Sequence, residues 1–167
     1  ALLEAGKDLN VAPYGVEAMS ILRIEKGHIV GAELNGRTSA GDLGFGGMIS
    51  TKKSFIGQRS LSKPALVDGN RKQLVGLKSL DPKTKIPRGA QIVADPRDPI
   101  PMEMLGEVTS NCYSPHVEAY IGLAIVKRGA DRHGDKLWAY SPLTNEAVEV
   151  EICSPHFVDP QGERLRA

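Results

Sequence analysis

From residue 72 onward the chain becomes a succession of short apolar runs, at 72–77, 90–94, 104–110, 119–126, 137–140 and 147–153. Pro and Gly clusters separate them. Runs this short with short turns between them cannot make parallel crossovers, which need about a dozen residues or more. The pattern therefore predicts antiparallel strands closing into a small barrel or packing as a sandwich. Pro96, Pro99 and Pro101 crowd one connection, which reads as an exposed loop.

Residues 65–70 mark a boundary. The reading divides the chain into a block at 1–66 and a β block at 67–167, an α+β arrangement overall, and 167 residues suffice for two small units. The first block mixes elements. Pro13 precedes a helix expected from about Gly15 to Leu22. Ile29-Val30 and Ala32-Glu33-Leu34 read as extended, and Asn35-Gly36 as a turn. Thr38 or Ser39 could cap a second helix reaching Asp42. The glycines of 43–50 suggest a strand closely approached by other backbone. The stretch around 55–61 reads as a loop entering a short helix that stops before Pro64.

Within the first helix, Ala18, Ile21, Leu22 and Glu25 share a face at helical spacing. A carboxylate thus extends an apolar stripe. Burying it is costly unless something pairs with it. Glu25 is therefore tied to an internal partner, waiting for a polar ligand, or paired at the surface with Arg23 or Lys26. Arg23 reads as a backbone or acid anchor, or as a ligand contact. Tyr14 stacks on a flat ring or covers the core edge. Lys52 and Lys53 read as solvated surface or as point charges for a carboxylate.

Several classes are excluded. A net charge of +1, with 41% hydrophobic and 25% charged residues, gives no reason to expect nucleic acid as a partner. No apolar run approaches the roughly 18–20 residues of a membrane span. Cys112 and Cys153 lack metal-ligand spacing and read as reduced, half-buried thiols of a cytoplasmic protein. His28, His116, His133 and His156 are scattered, without zinc-site spacing. Ser114-Pro115-His116 and Ser154-Pro155-His156 lack the Gly-x-Ser-x-Gly elbow of hydrolases. Gly44, Gly46 and Gly47 do not complete a dinucleotide-binding fingerprint. The chain begins at Ala1, and Leu2 to Lys7 reads as the end of a helix capped by Gly6, so a piece of a longer polypeptide is expected.

The run Leu22-Arg23-Ile24-Glu25-Lys26-Gly27 resembles the leucine-arginine-x-glutamate-x-glycine segment of the aminomethyltransferase (glycine-cleavage T-protein) family. Gly106-Glu107-Val108-Thr109-Ser110-Asn111-Cys112-Tyr113-Ser114-Pro115 is similar to a strand and turn of that family's C-terminal domain, with Asn111 where glycine is usual. Tyr120-Ile121-Gly122-Leu123-Ala124 resembles the strand that follows. The likeness covers essentially the whole chain in family order, and is nearer to the C-terminal part of the α-subunit of heterotetrameric sarcosine oxidase. The Tyr14-Gly15-Val16-Glu17-Ala18-Met19 lead-in favours that branch.

This resemblance implies a partial folate-binding block followed by a β-barrel-like domain. It implies tetrahydrofolate as cofactor, with Glu25 on the pterin ring and its side chain facing an open concavity. Tyr14, Arg23, Lys52 and Lys53 are the further candidates for folate binding; the two lysines stand where the family brings a basic residue, often arginine, to the folate tail. Flavin and NAD would be bound outside this chain. The implied partners are the N-terminal part of the α-subunit and the other subunits. Nothing here matches the family's aspartate near the reactive folate nitrogen, so no catalytic residue is assigned and the isolated chain is expected to be inactive. The alternatives are a stand-alone aminomethyltransferase and a non-catalytic folate-binding module.

Overall fold

The structure, a computed structural model, describes residues 1–166. Six strands form a closed antiparallel barrel: β1 (Lys72–Ser79), β2 (Gln91–Val93), β3 (Gly106–Ser114), β4 (Ala119–Lys127), β5 (Lys136–Ser141) and β6 (Glu146–Cys153). Around the barrel the order is β1-β4-β3-β2-β5-β6, and β6 returns to β1, so neither terminal strand leaves an open edge. Each of the six apolar runs has become a strand, with ends shifted by a few residues.

The strands differ in how they bury. On β6, Val148, Val150 and Ile152 point inward while Glu149 and Glu151 are left outside the core. This is the alternation of a half-solvated antiparallel strand. On β4 both rows are buried. Ala124 and Val126 fill the barrel beside Val75 and Leu77 of β1, while Ile121 and Leu123 on the outer row pack against Ile24. Ile24 belongs to helix α2 (Val16–Glu25), which follows a short N-terminal helix, α1 (Leu2–Ala5).

A β-bulge sets the face of β3. Val108 pairs with Ala124, but Ser110 pairs with Leu123, so Thr109 is the extra residue. Strict alternation would put Val108, Ser110, Cys112 and Ser114 on one face. The bulge leaves Val108 inside and turns the other three outward, beside the β4 row that meets α2.

Helix α2 runs three residues beyond the expected end and stops at Gly27. The amide of Gly27 donates to the Ile24 carbonyl and that of His28 to the Arg23 carbonyl, a Schellman ending. Gly27 has φ +70°, and a Cβ there would collide with the Pro155 carbonyl and the His156 ring. Its position in the Arg-x-Glu-x-Gly run is thus a backbone requirement. The amides of Phe157 and Val158 both donate to the Glu25 carbonyl, at 2.9 and 3.0 Å, binding the helix end to the chain that leaves β6.

The strands expected at 29–34 and 43–50 are not formed. Among the described residues no strand precedes Lys72. Ala32 and Glu33 lie in a turn, and residues 43–50 hold turns and a 3-10 segment, Gly46–Met48. The second helix expected at 38–42 is a single turn. The Ser39 hydroxyl accepts from the Asp42 amide and the Asp42 carboxylate accepts from the Ser39 amide. This cap closes the turn, but Gly44 at φ +83° follows too soon for propagation. Gln58–Ser62 is 3-10 and the short α3 (Pro64–Val67) begins on its proline. No helix among the described residues is long and apolar enough to cross a membrane.

Candidate functional site

Where α2 meets the outward face of β3, two buried carboxylates end on two buried serines. Glu25, 2% exposed, accepts a hydrogen bond at Oε1 from the Ser114 hydroxyl at 2.6 Å. The Ser114 oxygen in turn accepts from the Val117 amide at 3.1 Å, which fixes the hydroxyl proton toward Glu25. His116, on the β3–β4 turn, places Nδ1 3.1 Å from both Glu25 oxygens. Since a carboxylate only accepts, that nitrogen carries the proton.

Further back along β3, at Ser110, the arrangement repeats. Glu33, fully buried, accepts from the Ser110 hydroxyl at 2.8 Å and from the Val30 amide at 2.8 Å. Arg23 donates to the Ser110 oxygen at 2.6 Å, and a second guanidinium nitrogen lies 3.7 Å from Glu33. Burial pushes the Glu33 carboxyl up. The hydroxyls of Thr109 and Ser110, the Val30 amide and the Arg23 charge outweigh it and hold the group below its ordinary value. Cys112 sits between the serines; burial, then the Glu25 charge, pushes its thiol up to about 11. Burial does the same to Cys153, also to about 11. Neither is a ready nucleophile.

Glu25 is therefore not a surface ion pair: Lys26 turns instead to Asp159, donating to its carbonyl at 2.6 Å. Nor does Glu25 face an open concavity, as the family likeness led one to expect. A bare carboxylate at this depth costs more than turning onto a hydroxyl and an imidazole. The buried face of α2 also differs from the expected stripe: Ile24 is 3% exposed and Leu22 47%. Arg23 lies beside Glu25 in sequence but serves Glu33.

Tyr14, at 71% exposure, stands free before α2, and Lys52 and Lys53 are exposed on the loop after the 3-10 segment. None of the three shares a hydrogen bond or ion pair with Glu25. Asn111 lies in extended backbone, and its side-chain amide donates to the Ile86 carbonyl instead of supporting a positive φ. Among the described residues no group of three or more His, Cys, Asp and Glu is placed to hold a metal ion.

Sequence reasoning missed Glu33, Ser110 and Ser114 as buried polar partners, and treated His116 as one of four scattered histidines without zinc-site spacing and as part of a non-hydrolase tripeptide. The available signal was the serine–cysteine–serine alternation at 110, 112 and 114 beside an otherwise apolar strand. Its meaning depends on the bulge at Thr109.

A closed six-stranded barrel of this kind has counterparts among known proteins. The glycine cleavage T-protein C-terminal barrel domain matches residues 72–159, and the GCVT N-terminal domain matches residues 1–53. The chain belongs to the glycine cleavage T-protein C-terminal barrel family. It is 46% identical to the sarcosine oxidase subunit alpha of Rhizobium meliloti (strain 1021), over 99% of this chain and 17% of that protein. It is 36% identical to the sarcosine oxidase subunit alpha of Corynebacterium sp. (strain P-1), over 96% of this chain and 17% of that protein. An aminomethyltransferase of Halothermothrix orenii is 32% identical over 95% of this chain and 42% of its own length. The fold matches the crystal structure of glycine cleavage system aminomethyltransferase T from Bartonella henselae, with TM-score 0.72 and 20% identity, over 96% of this chain and 44% of that one. The chain thus spans 17% of the length of these sarcosine oxidase subunits.

Proposed function

We propose that this chain supplies one wall of a tetrahydrofolate site in a larger, cytoplasmic sarcosine-oxidising enzyme of the α-subunit type. Residues 1–66 contribute the folate-binding part and 67–167 the barrel that closes on it. The observation that carries this reading is the state of Glu25: a carboxylate 2% exposed whose partners are a hydroxyl and an imidazole, with no lysine or arginine bridging it among the described residues. A buried carboxylate with spare lone pairs suits a ligand edge that offers adjacent N–H donors. The 46% identity to a sarcosine oxidase subunit alpha supports the choice of enzyme.

In this reading Glu25 orients the pterin, and Arg23 shapes the site by holding Glu33 and Ser110 behind it. Tyr14 offers a ring face beside the helix entry, and Lys52 and Lys53 offer charge to the folate tail. Tetrahydrofolate, when bound, takes up the one-carbon unit released by oxidative demethylation of sarcosine as 5,10-methylenetetrahydrofolate. Holding it close raises the capture rate because positioning replaces a bimolecular encounter. Flavin and NAD sites, the remainder of the α-subunit and the other subunits lie outside this chain, which by itself carries no turnover.

The test is Glu25→Gln in the complete multisubunit enzyme. Folate affinity should fall by about 1–3 kcal/mol, the cost of spoiling a charge-assisted hydrogen bond. Flavin reduction by sarcosine should be unchanged, and free formaldehyde should rise at the expense of methylenetetrahydrofolate. An unchanged product ratio at limiting folate would overturn the assignment.

A further inference from the structure

We propose that Asn35-Gly36 is a self-modifying site: the Gly36 amide nitrogen attacks the Asn35 side chain, ammonia leaves, and water opens the resulting ring to aspartate or isoaspartate, loosening the hold of the first segment on the barrel. The inference does not rest on the folate reading. It comes from a turn that the folate reading leaves unused.

Of the five asparagines only Asn35 is followed by glycine, so only there does the attacking amide belong to a residue without a Cβ. Asn35 and Gly36 are both exposed. The Arg37 amide donates to Asn35 Oδ1 at 2.9 Å, which folds the carboxamide back over the Asn35–Gly36 peptide and draws electron density from Cγ. Among the described residues the Gly36 amide donates to no acceptor, so no hydrogen bond has to break before its nitrogen attacks. The pair lines a cavity of about 860 Å³, where water reaches the reacting atoms. Arg37, Arg71 and Lys72 outnumber Glu107 on the same wall, and this balance favours the carboxylate that forms.

The reaction needs only water. Hydroxide takes the proton of the Gly36 amide. The nitrogen bonds to Asn35 Cγ, and the bond from Cγ to the side-chain nitrogen breaks, releasing ammonia and leaving a cyclic imide. Water then adds to one of the two imide carbonyls. Opening at Cγ gives aspartate on the native backbone. Opening at the main-chain carbonyl gives isoaspartate, whose chain runs through Cβ and Cγ and is longer by one atom. Nothing is oxidised or reduced.

The longer chain falls between two anchors. Upstream, the Glu33 carboxylate is buried on Ser110, and the Thr38 hydroxyl lies 3.1 Å from both the Glu33 and the Asn35 carbonyls. Downstream, the Arg71 guanidinium donates to the Arg37 carbonyl at 2.8 Å and holds Asp42. Isoaspartate takes the Asn35 carbonyl out of the main chain. The Thr38 amide and hydroxyl lose that acceptor, and the turn between the anchors opens.

The full-length protein is aged at mildly alkaline pH and digested, and each asparagine peptide is followed by mass and by methylation with an isoaspartyl methyltransferase. Asn35 should convert ahead of Asn10, Asn70, Asn111 and Asn145. Gly36→Ala should slow it by an order of magnitude. A Cβ there meets nothing within 4 Å and φ is not left-handed, so the turn is kept and only the crowding of the attacking nitrogen changes. In aged protein the Val30 and Thr38 amides, which donate to Glu33 and Asn35, should exchange hydrogen faster, while β5 and β6 keep their protection. Freshly prepared Asn35→Asp, which carries the charge on the native backbone, should protect Val30 and Thr38 as the parent does. Asparagines converting at similar rates, or no slowing in Gly36→Ala, would show that this turn does not drive the reaction. Conversion without faster exchange at Val30 and Thr38 would overturn the loosening, and no conversion at Asn35 would overturn the proposal outright.

Discussion

Inside the barrel every inward row meets rows from other strands, whereas helix α2 finds cover on one side only. Leu77, Ile92, Val126 and Ile152 are sealed from solvent. On α2 the side carrying Ile24 and Glu25 is buried against β3 and β4, while Val16, Met19 and Leu22 are 75%, 51% and 47% exposed. Among the described residues most exposed large apolar side chains lie before Lys72. The barrel completes its own core; the segment before it borrows the barrel's outer face. The borrowing is polar as well as apolar, since two of the buried acids of the earlier segment, Glu25 and Glu33, end on serines of β3. Stability should therefore come from the barrel, and the site from the seam between the two.

The largest effect should come from the barrel core. Leu77→Ala removes a fully buried side chain between facing strands and should cost about 2–5 kcal/mol. Denaturant unfolding followed by the fluorescence of Trp138 on β5 measures it. Ile24→Ala, at the seam, should leave the barrel transition in place and loosen α2 alone. If Ile24→Ala unfolds the barrel as fully as Leu77→Ala, the two regions form a single cooperative unit and the contrast is wrong.

A smaller effect, with a defined pH dependence, belongs to Glu33. Its folded value lies below the ordinary 4.5, so the native state favours the charged form. Asp42 behaves likewise: burial raises it, but the Arg71 guanidinium and the Ser39 contacts more than compensate and hold it below 3.8. A depressed acid contributes stability that is fully present above its unfolded value and is lost as pH falls through the folded one. The seam should thus be firm at neutral pH and weaken progressively below about pH 4.5. Glu33→Ala should cost about 1–3 kcal/mol at neutral pH by leaving Ser110 and the Val30 amide without their acceptor. It should also flatten the acid limb of the stability curve. An acid limb identical to that of the parent would mean that Glu33 does not supply it.

The barrel was legible because period-two burial writes itself into sequence, and β6 with its Val148, Val150 and Ile152 row is the clearest case. The seam was legible only in part. Glu25 stood out as a charge on an apolar helix face, but its partners did not. The bulge at Thr109 rotates Ser110 and Ser114 out of the barrel interior, and no local pattern announces a one-residue register shift. The expected strands at 29–34 and 43–50 failed for a different reason. Their apolar residues are real, but Gly31, Gly44 and the Ser39–Asp42 cap close local turns before any strand partner is reached. Helix α2 outran its predicted end because Ile24 and Glu25 gain burial against β3 and β4, which a local reading of the helix does not contain.

The smallest expected effect probes the uncovered side of α2. Met19 and Leu22 are apolar and about half exposed, so removing them from this chain forfeits little buried area. Leu22→Ser should change its stability by no more than about 0.5 kcal/mol in thermal unfolding, as for surface substitutions away from special features. In the complete enzyme the same change should cost more. On the proposed reading the apolar row of α2 would there have further polypeptide to pack on, and each fully buried side chain of this size contributes about 1.5–3 kcal/mol. The informative quantity is the difference between the two measurements. A large cost in the isolated chain would mean that α2 already has its cover, for instance by self-association, which would appear as a concentration-dependent melting temperature. Equal, small costs in both forms would mean that this face stays in solvent in the assembly, and that α2 serves only the seam through Ile24 and Glu25.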